Sequence, residues 1–352
     1  MNKTLRIGFR LDASDTIGTG HVMEITSLIN QLRRHLAFEP VVLTSNNSFA
    51  ISKFREAQVN NINVISAGAS EETELEEIIA VLRQHRVSHL VIDLLHRSDA
   101  FYGHLHQRLT STCVILDNNE HKELAATIVV NFSVTQDPAW YQKAASYKTR
   151  YLIGPRYFFW DEAIQGIHPC DPRPAVDTVL VNQGGSDPYG LTVKILRAVA
   201  QENLPQKFVF VLGGHVQERH RAELEKIRSC LNSNFLFFEN LPRNTLYRLM
   251  QASDMAISAA GNTLYELLSI GVPTIVISHD DLHDEVAKAF ARQGAVVNLG
   301  IGDELAEGQI AAALRELAAD YPLRQRLQRN GQNLCGNYHG STLVDELMRL
   351  YA

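Results

Sequence analysis

The chain has 352 residues, of which 45% are hydrophobic and 20% charged, and its formal net charge at pH 7 is −6. This length and composition are typical of a globular protein of about two domains, each able to bury its own core. The acidic balance and the lack of a long Lys/Arg run exclude the basic surface of a nucleic-acid-binding protein.

Targeting signals and cysteine spacing narrow the protein class further. The segment Met1–Arg10 lacks the apolar core and the cleavage site of a signal peptide, and no apolar run approaches the ~20 residues needed to span a bilayer. The four cysteines are too far apart for a CxxC or zinc-binding pattern, so we expect reduced thiols. We therefore expect a cytoplasmic protein without a membrane span. Because no exposed heptad or edge strand is evident, we expect a monomer.

In the first half of the chain, short runs rich in Val and Ile alternate with amphipathic stretches. Glu24–Leu36 and Glu72–His85 carry apolar residues at helical spacing. Strands that are apolar on both faces and separated by helices are typical of a parallel sheet covered on both sides. The predicted strands are Leu5–Leu11, Pro40–Thr44, Asn63–Ser66, His89–Leu94, Thr112–Asp117 and Thr127–Asn131.

The proline-containing segment Gly166–Val176 interrupts this alternation and predicts a linker. We expect one domain over residues 1–168 and a second over 175–352, with the last helix returning to the first domain. The alternation restarts after the linker and becomes helical beyond Gly300. The predicted strands are Thr178–Asn182, Phe208–Leu212, Phe235–Phe238, Met255–Ser258, Thr274–Ser278 and Val296–Leu299. The predicted helices are Leu191–Gln201, Arg219–Cys230, Arg243–Ala252, Thr263–Ile270 and His283–Gln293.

This pattern predicts an α/β fold with two doubly wound, Rossmann-like parallel sheets. Ligands of open α/β sheets bind outside the carboxyl ends of the strands. We therefore expect a cleft between two sets of strand ends, and the motifs that carry chemistry should lie there.

The first motif, Gly18-Thr19-Gly20-His21, follows the first strand and opens the first helix. Glycines in such a turn allow the backbone to approach a ligand, and a helix N-terminus favours an anion. An imidazole in the first helical turn can stay neutral and act as a general base. A glycine turn with a locally packed histidine explains the same spacing equally well. The third glycine of a dinucleotide fingerprint is absent.

The second motif, Gly184-Gly185-Ser186-Asp187, lies at the corresponding place in the second half. Backbone N–H groups, the Ser186 hydroxyl and the following helix dipole could together bind a diphosphate. The alternative is a tight turn without a ligand. We favour the diphosphate because a similar motif recurs in the other half.

The third motif follows the strand ending at Ser258, where Gly261-Asn262-Thr263 open a helix that carries Glu266 one turn later. A carboxylate at that depth can accept both hydroxyls of a ribose, whereas a solvated surface glutamate is the alternative. Several isolated polar residues carry weaker expectations. His283 could approach a sugar or phosphate, and Asp93 ends a strand; the others are Asp284, His96, His121, His279 and the segment Asp117-Asn118-Asn119.

Taken in order, these motifs resemble a known family. With Arg10 and Asp12 at the end of the first strand, they are similar to the UDP-sugar hydrolase of pseudaminic acid biosynthesis and the spore-coat polysaccharide biosynthesis family. Those families are relatives of the MurG-like glycosyltransferases. The likeness extends to about Gly294 and includes Asn131 and Tyr151–Tyr157.

The resemblance implies a glycosyltransferase-B (GT-B) fold and hydrolysis of a UDP-linked 2,4-diacetamido-2,4,6-trideoxy hexose with inversion. It implies that His21 is the general base, that Gly184, Gly185 and Ser186 bind the diphosphate, and that Glu266 binds the ribose. No metal or cofactor is expected, because helix dipoles and backbone donors stabilise the leaving group. The other residues assigned to substrate or nucleotide binding are Arg10, Asp12, Gly18, Gly20, Asp187, Ser258, Gly261, Asn262, Thr263 and His283.

The sequence departs from the resembling family in three places. Glu24 stands where the family usually has Arg, Asp93-Leu94-Leu95 replaces an Asp-His-Tyr segment, and Leu282-His283 replaces an Asn-Gln pair. Three hypotheses therefore remain open: a UDP-sugar hydrolase, an inverting glycosyltransferase that uses the same base on a hydroxyl acceptor, and a nucleotide-sugar-binding module without catalysis.

Overall fold

The computed structural model describes residues 4–13, 20–66, 68–94, 97–116, 121–143, 146–169, 171–202, 204–214, 216–336 and 342–351. The chain forms two compact units, Met1–Glu162 with Gly340–Ala352, and Ala163–His339. The first unit thus ends before the expected boundary at 168. The helix Thr342–Tyr351 belongs to the first unit, where it packs on the helix Gly20–His35.

The described part of the first unit contains a seven-stranded parallel sheet of order β3-β2-β1-β4-β5-β6-β7. Its strands are β1 Leu5–Leu11, β2 Phe38–Thr44, β3 Asn61–Val64, β4 His89–Asp93, β5 Ser111–Ile115, β6 Ile128–Asn131 and β7 Arg150–Ile153. Its helices are α1 Gly20–His35, α2 Ser48–Glu56, α3 Glu71–His85, α4 Asp99–His106 and α5 Pro138–Lys143, with α13 Thr342–Tyr351 at the end of the chain.

The strand order reverses at β1, which pairs with both β2 and β4. This reversal is the topological switch point of a doubly wound sheet, where ligands bind. The register places Leu11 of β1 beside Asp93 of β4. The end of β4 therefore lies next to the end of β1.

The described part of the second unit contains a six-stranded parallel sheet of order β10-β9-β8-β11-β12-β13. Its strands are β8 Thr178–Asn182, β9 Lys207–Leu212, β10 Phe235–Glu239, β11 Met255–Ser258, β12 Thr274–Ser278 and β13 Val297–Ile301. Its helices are α6 Leu191–Gln201, α7 Glu218–Arg228, α8 Arg243–Ala252, α9 Asn262–Ile270, α10 Asp281–Arg292, α11 Glu307–Ala319 and α12 Tyr321–Cys335.

The proline-containing segment belongs to the second unit for a physical reason. Arg324 of α12 is fully buried, and its guanidinium donates hydrogen bonds to the carbonyls of Arg173 and Pro174 at 3.0 and 2.7 Å. Arg173 in turn forms an ion pair of 2.5 Å with the buried Asp254. These contacts fix the segment, which was predicted to be a linker, against the body of the second unit.

The two parallel α/β sheets confirm the predicted fold class. Every predicted strand overlaps an observed one, whereas α2, α4, α5 and β7 were not predicted. The described cysteines Cys113, Cys230 and Cys335 are free, and burial raises the pKa of Cys113 to about 12. Among the helices that the structure describes, none combines the length and the apolar character required to cross a membrane.

Candidate functional site

The candidate base His21 is held by an aspartate from the neighbouring strand. His21 is the second residue of α1, and its Nδ1 lies 2.8 Å from Oδ1 of Asp93 at the end of β4. Both side chains are buried, with relative exposures of 8% and 2%. Because an ionised carboxylate only accepts hydrogen bonds, Nδ1–H is the donor and Nε2 is the basic nitrogen. An imidazole held in this way can accept a proton at Nε2 when it is neutral.

A second carboxylate, that of Glu24, lies beside this pair. Glu24 is three residues after His21 in α1, and it is only 5% exposed. One ligand atom from each of His21, Glu24 and Asp93 lies within 4.8 Å of the other two. The resembling family usually has an arginine at this position, so Glu24 places a carboxylate where that family has a cation.

Arg10 and Asp12 belong to an ion network at the end of β1. The Arg10 guanidinium is 2.7 Å from Glu74 and 2.6 Å from Asp12, and Arg97 contacts both of these carboxylates. Arg10 is 3% exposed. Its donors are directed at protein groups, so we assign it a structural role in fixing the end of β1 rather than the ligand-binding role that the sequence suggested.

The glycine motif before α1 is described only in part. Gly18 lies outside the described residues, as do His96 and Asp117–Asn119. Gly20 is the first residue of α1 and is exposed. The expectation that Gly18 and Gly20 approach a substrate therefore stays a prediction.

In the second unit, the loop after β8 presents two of its three expected donors. Gly184 has a φ of +83°, which only glycine adopts readily, and its N–H already donates to Oδ1 of Asn182 at 3.1 Å. Gly185 and Ser186 are exposed, and neither forms a hydrogen bond with another described residue. These two residues are therefore the part of the loop that a diphosphate could reach.

Asp187 performs a different task from the one expected. Its carboxylate accepts hydrogen bonds from the N–H groups of Leu191 and Thr192, at 2.8 and 2.9 Å, and it is 1% exposed. Asp187 therefore caps α6 and fills the anion site at that helix N-terminus. The expectation that Asp187 and the α6 dipole bind the diphosphate is corrected accordingly.

A close backbone contact that the sequence did not indicate holds the same loop. A Cβ added to Gly213, the residue after β9, would lie 2.1 Å from the carbonyl oxygen of Gly185. No side chain fits at that distance. Gly213 therefore allows the end of β9 to pack directly against the loop and fixes the position of Gly185.

The third motif provides a helix N-terminus without a side-chain cap. Gly261 is the N-cap of α9 and offers no capping group, and Asn262 and Thr263 are partly exposed behind it. Uncapped N–H groups and the helix dipole favour an anion at this position. Ser258 is fully buried and donates to the carbonyl of Ala259, so its hydroxyl is committed within the turn.

Glu266 is buried inside α9 and is not the solvated glutamate of the alternative interpretation. Its Oε1 accepts hydrogen bonds from Arg243 at 2.9 Å and Tyr247 at 2.8 Å, and the residue is 3% exposed. Arg243 and Tyr247 of α8 were not predicted from the sequence. They neutralise and orient the carboxylate expected to bind the ribose.

Buried polar groups that form no hydrogen bond in the described part of the chain lie at the carboxyl edge of the second sheet. Gln183 follows β8 and is 1% exposed, and Ser278 ends β12 and is fully buried. Within the described residues, neither the Gln183 amide nor the Ser278 hydroxyl has a hydrogen-bond partner, and the same holds for Nε2 of His279. Because such groups are costly when unsatisfied, this edge is prepared for a polar ligand or water.

His279 and His283 lie close together at the start of α10, with ring centroids 5.6 Å apart. Burial lowers the pKa of His279, more than the nearby Asp187 raises it. His283 contacts Asp280 through Nδ1 at 2.7 Å. Burial alone would raise the pKa of Asp280, but hydrogen bonds from His283 hold that pKa below its ordinary value. His283 is 40% exposed at its side chain and is the more accessible imidazole.

Comparisons with known proteins indicate the fold and the general class of protein. Residues 191–334 match the family "Glycosyl transferases group 1". The chain is 25% identical over 338 residues to the spore coat polysaccharide biosynthesis protein SpsG of Bacillus subtilis (strain 168). This alignment covers 94% of each of the two chains.

Three solved structures share the fold over nearly the whole chain. The MurG of Acinetobacter baumannii has a TM-score of 0.70 at 14% identity, covering 98% of this chain and 99% of that one. The calicheamicin glycosyltransferase CalG4 has a TM-score of 0.70 at 13% identity, covering 99% and 98%. The UDP-GlcNAc 2-epimerase of Neisseria meningitidis, bound to UDP-GlcNAc, has a TM-score of 0.64 at 12% identity, covering 98% and 100%.

These similarities support the glycosyltransferase alternative better than the hydrolase expectation, and nothing in them supports the diacetamido sugar. The chain has the GT-B fold, and its second unit resembles the glycosyl transferases of group 1.

Proposed function

We propose that this protein transfers a glycosyl group from a UDP-sugar to a hydroxyl acceptor, with inversion at the anomeric carbon. The observation that carries this proposal is the buried His21–Asp93 pair, which leaves Nε2 as a base at the switch point of the first sheet. The group 1 glycosyl transferase match of the second unit supports the donor class. The relative named for spore coat polysaccharide biosynthesis supports a role in making a polysaccharide.

The first unit would supply the base. Nε2 of His21 accepts the proton of the acceptor hydroxyl as the acceptor oxygen forms its bond to the anomeric carbon. The bond from that carbon to the β-phosphate oxygen breaks, and its electron pair leaves with UDP. Asp93 keeps the proton on Nδ1 and stabilises the imidazolium that forms, so it is a positioning residue.

The second unit would hold the nucleotide. The uncapped N-terminus of α9 and the exposed Gly185 and Ser186 donate N–H groups to the diphosphate. These donors stabilise the charge that develops on the leaving group. Glu266, oriented by Arg243 and Tyr247, accepts the ribose hydroxyls.

Hydrolysis is the second candidate, and the burial of His21 favours it. A base that is only 8% exposed serves a small nucleophile such as water more readily than a bulky acceptor. In that reaction water replaces the acceptor hydroxyl and the products are UDP and the free sugar. The 2,4-diacetamido-2,4,6-trideoxy hexose implied by the family resemblance is the donor to test first for this activity.

Proton NMR of UDP-sugars incubated with the purified protein separates the two candidates. The panel includes UDP-GlcNAc and the UDP-linked diacetamido-trideoxy hexose, each with and without a mixture of sugar acceptors. Transfer predicts UDP release that requires an acceptor and yields a new glycosidic anomeric signal. Equal release of UDP and free sugar without any acceptor would refute transfer and establish hydrolysis.

A further inference from the structure

The cluster of His21, Glu24 and Asp93 contains one carboxylate more than the proposed base, His21, and its positioning residue, Asp93, account for. Three ligand-type atoms, one from each residue, lie within 4.8 Å of one another. The residues are 8%, 5% and 2% exposed. Two carboxylates and one imidazole, all buried, together offer the oxygen and nitrogen ligands that metal ions take from proteins.

The carboxylate of Asp93 gives a second, independent indication. Its Oδ1 accepts the hydrogen bond from His21, whereas Oδ2 is buried and has no hydrogen-bond partner in the described part of the chain. A buried carboxylate oxygen without a hydrogen-bond donor destabilises the folded state. A cation bound within the cluster would satisfy this oxygen.

We propose that His21, Glu24 and Asp93 form a binding site for a divalent transition-metal ion of the Zn²⁺ class. One imidazole nitrogen and two carboxylate oxygens are a donor set that zinc accepts, with a further position left for water. Calcium and magnesium prefer sites composed of oxygen ligands, so the imidazole selects against them.

A cation bound at this site would prevent His21 from acting as a general base. If the cation takes Nε2, the basic nitrogen is occupied directly. If it takes Nδ1, the single proton of the neutral imidazole must reside on Nε2, which then cannot accept another. The metal site shares His21 with the proposed function, but binding of the cation does not depend on that function being correct.

The test uses the full chain, stripped of metal with a chelator and then titrated with Co²⁺ and Zn²⁺. The site predicts one tightly bound ion per chain, seen as visible Co²⁺ absorption bands that Zn²⁺ abolishes. Glu24→Gln keeps the side-chain size and should weaken binding at least tenfold, and Asp93→Asn should do the same. Glu72→Gln, an exposed glutamate on α3, removes the same charge away from the cluster and should leave affinity unchanged.

Thermal melts of each metal-free variant establish that it is folded. No stoichiometric binding, or equal affinity in Glu24→Gln and Glu72→Gln, would overturn the site. Once a turnover assay exists, Zn²⁺ should inhibit the wild-type protein at the concentrations that fill the site. Undiminished turnover with one Zn²⁺ bound per chain would refute the claim that the bound cation blocks His21. Absence of turnover in the metal-free protein would instead refute the proposed function.

Discussion

Asp93→Asn isolates the contribution of the positioning residue to the proposed reaction. The change keeps the size of a side chain that lies 2.8 Å from His21 and is 2% exposed, but it removes the negative charge that stabilises the imidazolium. A hydrogen bond to a charged group contributes about 1.5–3 kcal/mol. Since each ~1.4 kcal/mol is tenfold in rate, kcat should fall about 10–150-fold, and further if the amide favours the wrong tautomer.

The assay is UDP release from the donor that the wild-type protein consumes, followed across pH. The donor KM should stay within about twofold, because the Asp93 side chain contacts His21 and is not among the groups proposed to bind the nucleotide. The acidic limb of the rate–pH profile should move to lower pH, because the protonated imidazole has lost its carboxylate. Asp99→Asn, which alters an exposed aspartate on α4, is the control. A loss of kcat below threefold, or an unmoved acidic limb, would refute the positioning role.

Three further predictions concern the second unit. Gly213→Ala should weaken UDP binding at least tenfold by calorimetry, because the added Cβ would displace Gly185. Gly308→Ala is the control, since no atom lies within 4 Å of its added Cβ, and it should leave UDP binding unchanged. Equal UDP affinities of the two variants would show that the close contact does not position Gly185 for UDP. Wild-type protein should bind UDP more tightly than 2′-deoxy-UDP by about tenfold, and Glu266→Gln should reduce that preference; an unchanged preference would place the ribose elsewhere. Burial lowers the pKa of His279 in the folded state, so below about pH 6.5 the unfolded state binds more protons than the folded state. The free energy of unfolding should therefore decrease as the pH falls from about 6.5 towards the folded-state pKa of His279. In denaturation experiments, His279→Gln should reduce the pH dependence of the free energy of unfolding, whereas His104→Gln, at an exposed position, should not. Equal pH dependence in the two variants would exclude His279 as its source.

The fold could be predicted from the sequence because its strands are short apolar runs separated by amphipathic helices. Such runs are typical of buried parallel strands, and the elements overlooked are those without this signal. The strand β7, for example, begins with exposed and half-buried residues, and α5 has only six residues, too few to show a period. The contacts of Arg324 with the proline-containing segment could not be predicted, since they join residues about 150 positions apart.

The candidate site was predictable where it consists of local motifs and not where it depends on distant pairing. His21 and the N-terminus of α9 were identified because each follows a strand and opens a helix. Asp93 was one of several isolated polar residues, and its link to His21 depends on the adjacency of β1 and β4. Asp187 belongs to a glycine motif, but only its bonds to Leu191 and Thr192 distinguish a helix cap from a ligand contact.

The proposed role of His21 as the base is tested most directly by comparing His21→Ala with His283→Ala on the same UDP-sugar. We predict that His21→Ala lowers turnover by about 10²–10⁴-fold while UDP binding remains within about threefold of the wild type. His283→Ala, which alters the exposed imidazole of α10, should retain turnover within about tenfold. Retained turnover in His21→Ala, with UDP still bound, would contradict the account.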